Sequence, residues 1–349
     1  MACQTFGQGT RTNVHREPGI LVTVTPVLQA LAPDAGEYTA ATEAAGVIDH
    51  SERGKLALSG ADAVPFLDSL LSNDIAAIGV GGGADATLLT HKGRMLAEVR
   101  VLRSDRELLL DTERIALQAL FDALTQFRIG YSAELHKRTL ESALLSIVGP
   151  HSDRALHQAP PAAEHAHLAT TVGDIPVRAI RTRLGVDLLY ESGEHERVRR
   201  SLEEAGVAAL SAATYECLRL EAGIPRFGLE IDETTMPQEA GLHERAVSYT
   251  KGCYVGQETV ARLYWKGKPN RLLRGLRLSE PIAAGTVLWQ NEREVGALAS
   301  STASPRLGLI GLALLRREAE PGDILSAAGI SASATVVELP FGDITVERQ

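Results

Sequence analysis

The chain reads as an α+β protein that finishes in an all-β segment. Three observations carry this reading. Up to about residue 262, short apolar or alternating runs are interleaved with segments of helical period. Beyond residue 270, short apolar stretches are split by Gly, Pro, Asn and Asp, the pattern of a β-barrel or sandwich. The 349 residues, 44% hydrophobic and 23% charged, suit a folded chain of two or three domains.

Taken in order, "GILVTVTPVLQALA" (19–32) reads as a strand and a turn; Thr23, Thr25 and Pro26 interrupt it, so it does not read as an export signal. Residues 31–46 read as loop or short helix. "GKLALSG" (54–60) alternates like a strand. Ser59 and Asp62 then form an S-x-x-D capping signature for a helix over about 61–71. "VGGGA" (80–84) is a turn; it lacks the Gly-Lys-Ser/Thr ending of a phosphate loop. Residues 85–103 form two strands around "HKGR", with Gly93 free to take positive φ. A strand over 105–112 precedes a helix over 113–127 with Ile115, Leu120, Leu124 and Phe127 on one face. "YSAELHK" and "SALLSIVG" give further strands, and 175–191 a hairpin with Gly185 in its turn. Helices follow over about 194–205 and 211–222, and "WKGKPNRLLRG" (265–275) reads as a linker. These patterns divide the chain into an N-terminal segment (1–45), an α+β region (46–270) and a β domain (271–349).

A net charge of −9 speaks against a dedicated nucleic-acid binder, although Lys266, Lys268, Arg271, Arg274 and Arg277 form a local basic run. No apolar run approaches the roughly 18–20 residues of a membrane span. Cys3, Cys217 and Cys253 are an odd, widely spaced set, which points to a reducing cytoplasm and away from a disulfide framework.

"KGCYVGQ" (251–257) raises the chemical question. If it is extended, Lys251 and Cys253 share a face, and the cation favours the thiolate. Equally, free cysteine is commonly a small buried filler, and local physics favours that slightly. The thiols are too few for an iron–sulfur cluster, and the ten histidines contain no zinc-binding pattern, so no metal site is expected; His165 and His167 read as an exposed loop. In "ECLRLEAGIPRFGLEIDETTMPQEAGL" (216–242), Glu216 and Arg219 lie three apart on a helix and can pair, while Glu221, Glu230, Asp232, Glu233 and Glu239 lie in or beside a loop. Either Arg219 or an acid fixes a polar ligand, or, as is usual for charge runs, this is a solvated loop with one structural salt bridge.

"RLEAGIPRFGLEIDETTMPQEAGL" followed by "KGCYVGQETVAR" resembles the folate-binding superfamily of the glycine-cleavage T-protein, the aminomethyltransferases. The K-G-C-Y-x-G-Q-E string is similar to the YgfZ branch, bacterial relatives of mitochondrial iron–sulfur maturation factors. Weaker echoes extend over about residues 46–340. The resemblance implies a three-lobed, ring-like α+β fold with a C-terminal β-barrel and a central tetrahydrofolate site. It marks Cys253 as the functional thiol with Lys251 beside it, and Arg219, Tyr254, Gln257 and Glu258 as cofactor-binding. The transferases' catalytic aspartate falls on Ala97 of "GRMLAE", and their "Y-T-G-E" string on "RLGVD". Both departures point away from a standard aminomethyltransferase. The implied function is a cytoplasmic folate-binding accessory protein for iron–sulfur assembly or repair in client enzymes, including tRNA-modifying ones. Its implied partners are folate and the iron–sulfur client or assembly proteins, with no direct nucleic-acid or membrane contact. The alternative is a folate-dependent one-carbon transferase in which another acid, such as Glu98, replaces the aspartate.

Overall fold

The computed structural model describes residues 32–341; of the strand and turn expected over 19–32, all but residue 32 lie outside the described residues. Helix α1 (Ala35–Glu43) is capped by Asp34, whose side chain accepts from the Glu37 amide, and it leads into β1 (Gly46–Asp49). The chain then builds a five-stranded sheet from β2 (Gly54–Ser59), a hairpin of β3 (Gly83–Leu89) and β4 (Met95–Arg103), then β5 (Leu108–Thr112) and, after helix α3, β6 (Glu134–Lys137). Its strand order is β3-β4-β5-β2-β6, and helices α2 (Ala63–Leu70) and α3 (Leu117–Phe127) belong to its core.

A second sheet collects β7 (Ser142–Val148), β8 (His167–Val172), β9 (Ile175–Arg181), β10 (Gly185–Glu191) and, after α4 (His195–Glu204), the short β11 (Ala208–Ala209). With β1 it has the order β11-β1-β7-β10-β9-β8. Helix α5 (Ala212–Glu221) starts on a Ser211 cap, and Gly223 just beyond its end takes φ 64°. A long loop leads to α6 (Gln257–Lys266). The chain ends in a closed barrel of β12 (Arg271–Leu278), β13 (Val287–Gln290), β14 (Arg293–Ser304), β15 (Gly308–Arg316), β16 (Ile324–Ala327) and β17 (Ser333–Val337). Each sheet and the barrel has its own apolar core. Among the described residues, no helix is long and apolar enough to cross a membrane.

Several local expectations are corrected. The helix after Ser59 exists, but neither Ser59 nor Asp62 caps it: Ser59 Oγ meets His136 Nε2 at 2.9 Å, and Asp62 accepts from the Ser132 amide at 2.8 Å. Ile115 and Phe127 are exposed, because Ile115 sits in the 3-10 turn before α3 and the face that buries is that of Leu120 and Leu124. Gly185 opens β10 and does not sit in the turn; a Cβ there would stand 2.1 Å from the Ile147 carbonyl of β7. Of the linker expected over 265–275, only residues 267–270 join elements; the rest is the end of α6 and the start of β12, with Arg271 paired to Glu239 at 3.1 Å.

Gly93 takes φ 73° in the β3–β4 turn, as expected. It lies against Gly256, the φ 84° residue that opens α6, where a Cβ would come within 2.5 Å of the Thr90 carbonyl. Two side-chain-free positions thus let the "KGCYVGQ" segment lie directly on the hairpin turn.

Candidate functional site

The site begins with the alternation of β4. Met95, Ala97, Val99 and Val101 point into the core of the five-stranded sheet, so Glu98 and Arg100 must point the other way. This corrects the argument built on Ala97. That position is a buried core methyl, and the neighbouring Glu98 is the carboxyl that strand geometry sends to the pocket. The register places Asp85 of β3 opposite Arg100 and Arg100 opposite Asp111 of β5, giving a charged row across this face. The six-stranded sheet answers with Asp187 of β10. The Arg100 guanidinium spans the two sheets, 2.7 Å from Asp111 and 2.6 Å from Asp187.

Between the sheets lies a cavity of about 180 Å³ whose wall carries six arginines and six carboxylates. Five of the arginines are in ion pairs. Arg53 and Arg226 meet at Glu113, Arg226 also reaches Glu216, Arg100 pairs as above, and Arg219 pairs with Glu216 and Glu230. Arg245 holds Asp85 and Glu98 together, at 2.8 Å from each. Arg183 alone among the described lining arginines makes no hydrogen bond or ion pair.

Two carboxyls on one guanidinium are driven apart. Burial pushes Glu98 up to about 7; the charge of Arg245 opposes this and that of Asp85 adds to it. Asp85 is buried too, but the hydrogen bond from His165 and the charge of Arg245 hold it at about 2. Glu98 therefore changes protonation near neutrality while its neighbour stays ionised, the separation of roles that acid–base sites use. His165 and His167 are not an exposed loop. His167 is buried at the start of β8, and His165 lines the cavity with Nε2 3.2 Å from Asp85.

Arg219 lines the cavity as well, but all five of its N–H groups are engaged, by Glu216, Glu230 and the Ile224 carbonyl. Against the effect of burial, the Glu230 and Glu216 carboxylates hold its guanidinium above the ordinary value. Glu230 also accepts from Ser300 of the barrel strand β14. Of the acids expected in a solvated loop, Asp232 and Glu233 are exposed, whereas Glu221, Glu230 and Glu239 are buried and structural.

The "KGCYVGQ" segment lies apart from the cavity; Lys251, Cys253, Tyr254, Gln257 and Glu258 are not in its wall. Nor is the segment a strand on which Lys251 and Cys253 share a face. The Lys251 ammonium is buried and donates to the Asp68 side chain and to the carbonyls of Asp68, Leu71 and Asn73 around the end of α2, so it is not available to activate Cys253. Tyr254 is packed in the core, Gln257 reaches back to the Gly252 carbonyl, and Glu258 is exposed on the first turn of α6. Cys253 itself is exposed, which removes the buried-filler reading. We expect Cys253→Ser to change unfolding free energy by no more than about 0.5 kcal/mol. Alkylation of the native protein, mapped by mass spectrometry, should label Cys253 and spare the buried Cys217.

Sequence reasoning missed Asp85, His165, Arg183 and Arg245, and named Glu98 only as a substitute. The period of β4 could have found Glu98: once Met95, Val99 and Val101 are core, residues 98 and 100 share the opposite face.

A model of the GCVT N-terminal domain matches residues 26–251. An aminomethyltransferase of Streptomyces avermitilis is 30% identical over 87% of this chain and 88% of its own length, and one of Rubrobacter xylanophilus is 29% identical over 87% and 85%. Mouse mitochondrial dimethylglycine dehydrogenase is 30% identical over 69% of this chain, which corresponds to 30% of that protein. The crystal structure of the glycine cleavage system aminomethyltransferase T from Bartonella henselae superposes with a TM-score of 0.79 at 24% identity, covering 88% of this chain and 89% of that one. The mixed α+β architecture with its closed barrel is therefore the fold of that protein.

Proposed function

The chain belongs to the GCVT N-terminal domain family, and from that premise we propose that it binds tetrahydrofolate between its two sheets and moves a one-carbon unit from an aminomethyl donor. The observation that carries this reading is Glu98, a cavity carboxyl poised near pH 7. The acid stands one residue further along the strand than Ala97, the position on which the resemblance places it.

The wall suits a folate. Arg100 Nε and His165 Nδ1 are buried without a protein partner, and a pterin edge carries both acceptors and donors for such atoms. Arg183, with its free guanidinium, would take a carboxylate of the glutamyl tail. Tetrahydrofolate, when bound, supplies the nitrogens that take up the one-carbon unit. Glu98 would hold or move the proton that this exchange displaces, and Arg245 fixes its carboxyl in place. Arg219 is a positioning residue: it orders Glu216 and Glu230 and through them Arg226.

The test is to incubate purified protein with tetrahydrofolate and an aminomethyl donor and to assay methylene-tetrahydrofolate. Turnover is expected. Saturable folate binding without turnover would exclude transfer, and absence of binding would exclude the reading altogether.

A second reading rests on the exposed Cys253, presented beside Gly252 on a segment pinned by Lys251. Here the same folate scaffold, as a YgfZ-type protein of the cytoplasm, would serve iron–sulfur assembly or repair in client enzymes, tRNA-modifying ones included. Equal rescue of a deletion strain's client activities by wild type and Cys253→Ala would exclude that role for the thiol.

A further inference from the structure

His165 stands out on three independent counts. It is a non-glycine residue held at φ 63°, a conformation that costs energy and is kept where the surroundings enforce it. The surroundings do so here: the His165 amide donates to the Arg181 carbonyl at 2.9 Å, and Arg181 in turn donates to the Ala166 carbonyl at 2.8 Å. The His165 Cβ is packed against Gly83, where an added Cβ would come within 2.9 Å of it. Its Nε2 lies 3.2 Å from Asp85, whose carboxylate can only accept, so Nε2 carries the proton. In the neutral ring the remaining nitrogen, Nδ1, is then the acceptor, and it is buried in the cavity wall with no partner.

We propose that His165, oriented by Asp85, is a second catalytic residue of the folate site, the base that receives a proton from a nitrogen of the bound ligand. This rests on the one-carbon-transfer reading above. His165 Nδ1 takes the proton as the ligand's N–H bond breaks and an Nδ1–H bond forms. The resulting imidazolium is stabilised by the Asp85 carboxylate, and the proton then passes to the departing amine or to water. Asp85 also shares the Arg245 guanidinium with Glu98, so the base and the neutral-range carboxyl are linked through one ion-pair chain, His165–Asp85–Arg245–Glu98. Such pairing of a proton acceptor with a carboxyl that stays protonated to higher pH supplies both directions of proton movement in one cavity.

The test combines nitrogen NMR of the full chain with a cavity variant. In wild type, the His165 ring should show the Nε2–H tautomer, and Asp85→Asn should abolish that preference. Saturating tetrahydrofolate should shift the Nδ1 resonance. His165→Gly accepts the left-handed backbone without strain; it should lose about 100-fold in transfer rate and regain part of it with added imidazole. A proton on Nδ1 in the wild type, folate binding that leaves Nδ1 unmoved, or a His165→Gly rate equal to wild type would each overturn the assignment. Folate binding is measured separately by equilibrium dialysis, and its absence overturns the one-carbon reading together with this one.

Discussion

Glu98→Gln should lower one-carbon transfer by about 10²–10⁴-fold while leaving folate binding within a few-fold of wild type. Glutamine keeps the shape and an oxygen that can accept from Arg245, but it can neither release nor take a proton. The wild-type rate should follow a titration with a midpoint near pH 7, and that limb should vanish in the variant. Folding gives a second readout. Glu98 is raised from 4.5 to about 7, so the fold favours its protonated form. That stability is fully present below pH 4.5 and is lost as pH rises through 7. Wild type should therefore become progressively less stable relative to Glu98→Gln across this window, by an amount on the order of 3 kcal/mol at full ionisation. A transfer rate that keeps its pH dependence in Glu98→Gln would assign the titration to another group.

Arg219→Met should destabilise the protein by about 3–5 kcal/mol, measured by denaturant unfolding. The side chain is 3% exposed and neutralises two carboxylates that are themselves buried. Methionine fills much of the same volume but leaves the buried Glu230 without its guanidinium and Glu216 with Arg226 alone. If Arg219 were a direct folate anchor, the variant would lose binding with little change in stability; the pattern of contacts predicts the reverse order of effects.

The fold was largely legible because its signals are local. The alternation of β4, the helical period around Leu120 and Leu124, and the Gly-split strands after residue 270 each need only a short window of sequence. The site was less legible because its members are far apart in the chain. Asp85 and His165 lie 80 positions apart, and what joins them is the packing of one sheet's charged face against the other. The phase of β4 also had to be known before Ala97 and Glu98 could be told apart. Lys251 shows the opposite failure: a cation two residues from a thiol in sequence is spent on α2 in space. Helix α6 was lost because Gly256, Gly267 and Pro269 around it read as loop punctuation.

The hydrogen bond from Ser300 to Glu230 has a genetic consequence. Ser300 belongs to the barrel, yet its partner is the carboxylate that positions Arg219. A lesion at residue 300 should therefore behave as an allele of the pocket, giving reduced function from a barrel that still folds. Its phenotype should be masked by, and not added to, that of a lesion at residue 230. A double-mutant cycle between the two positions would score that epistasis directly.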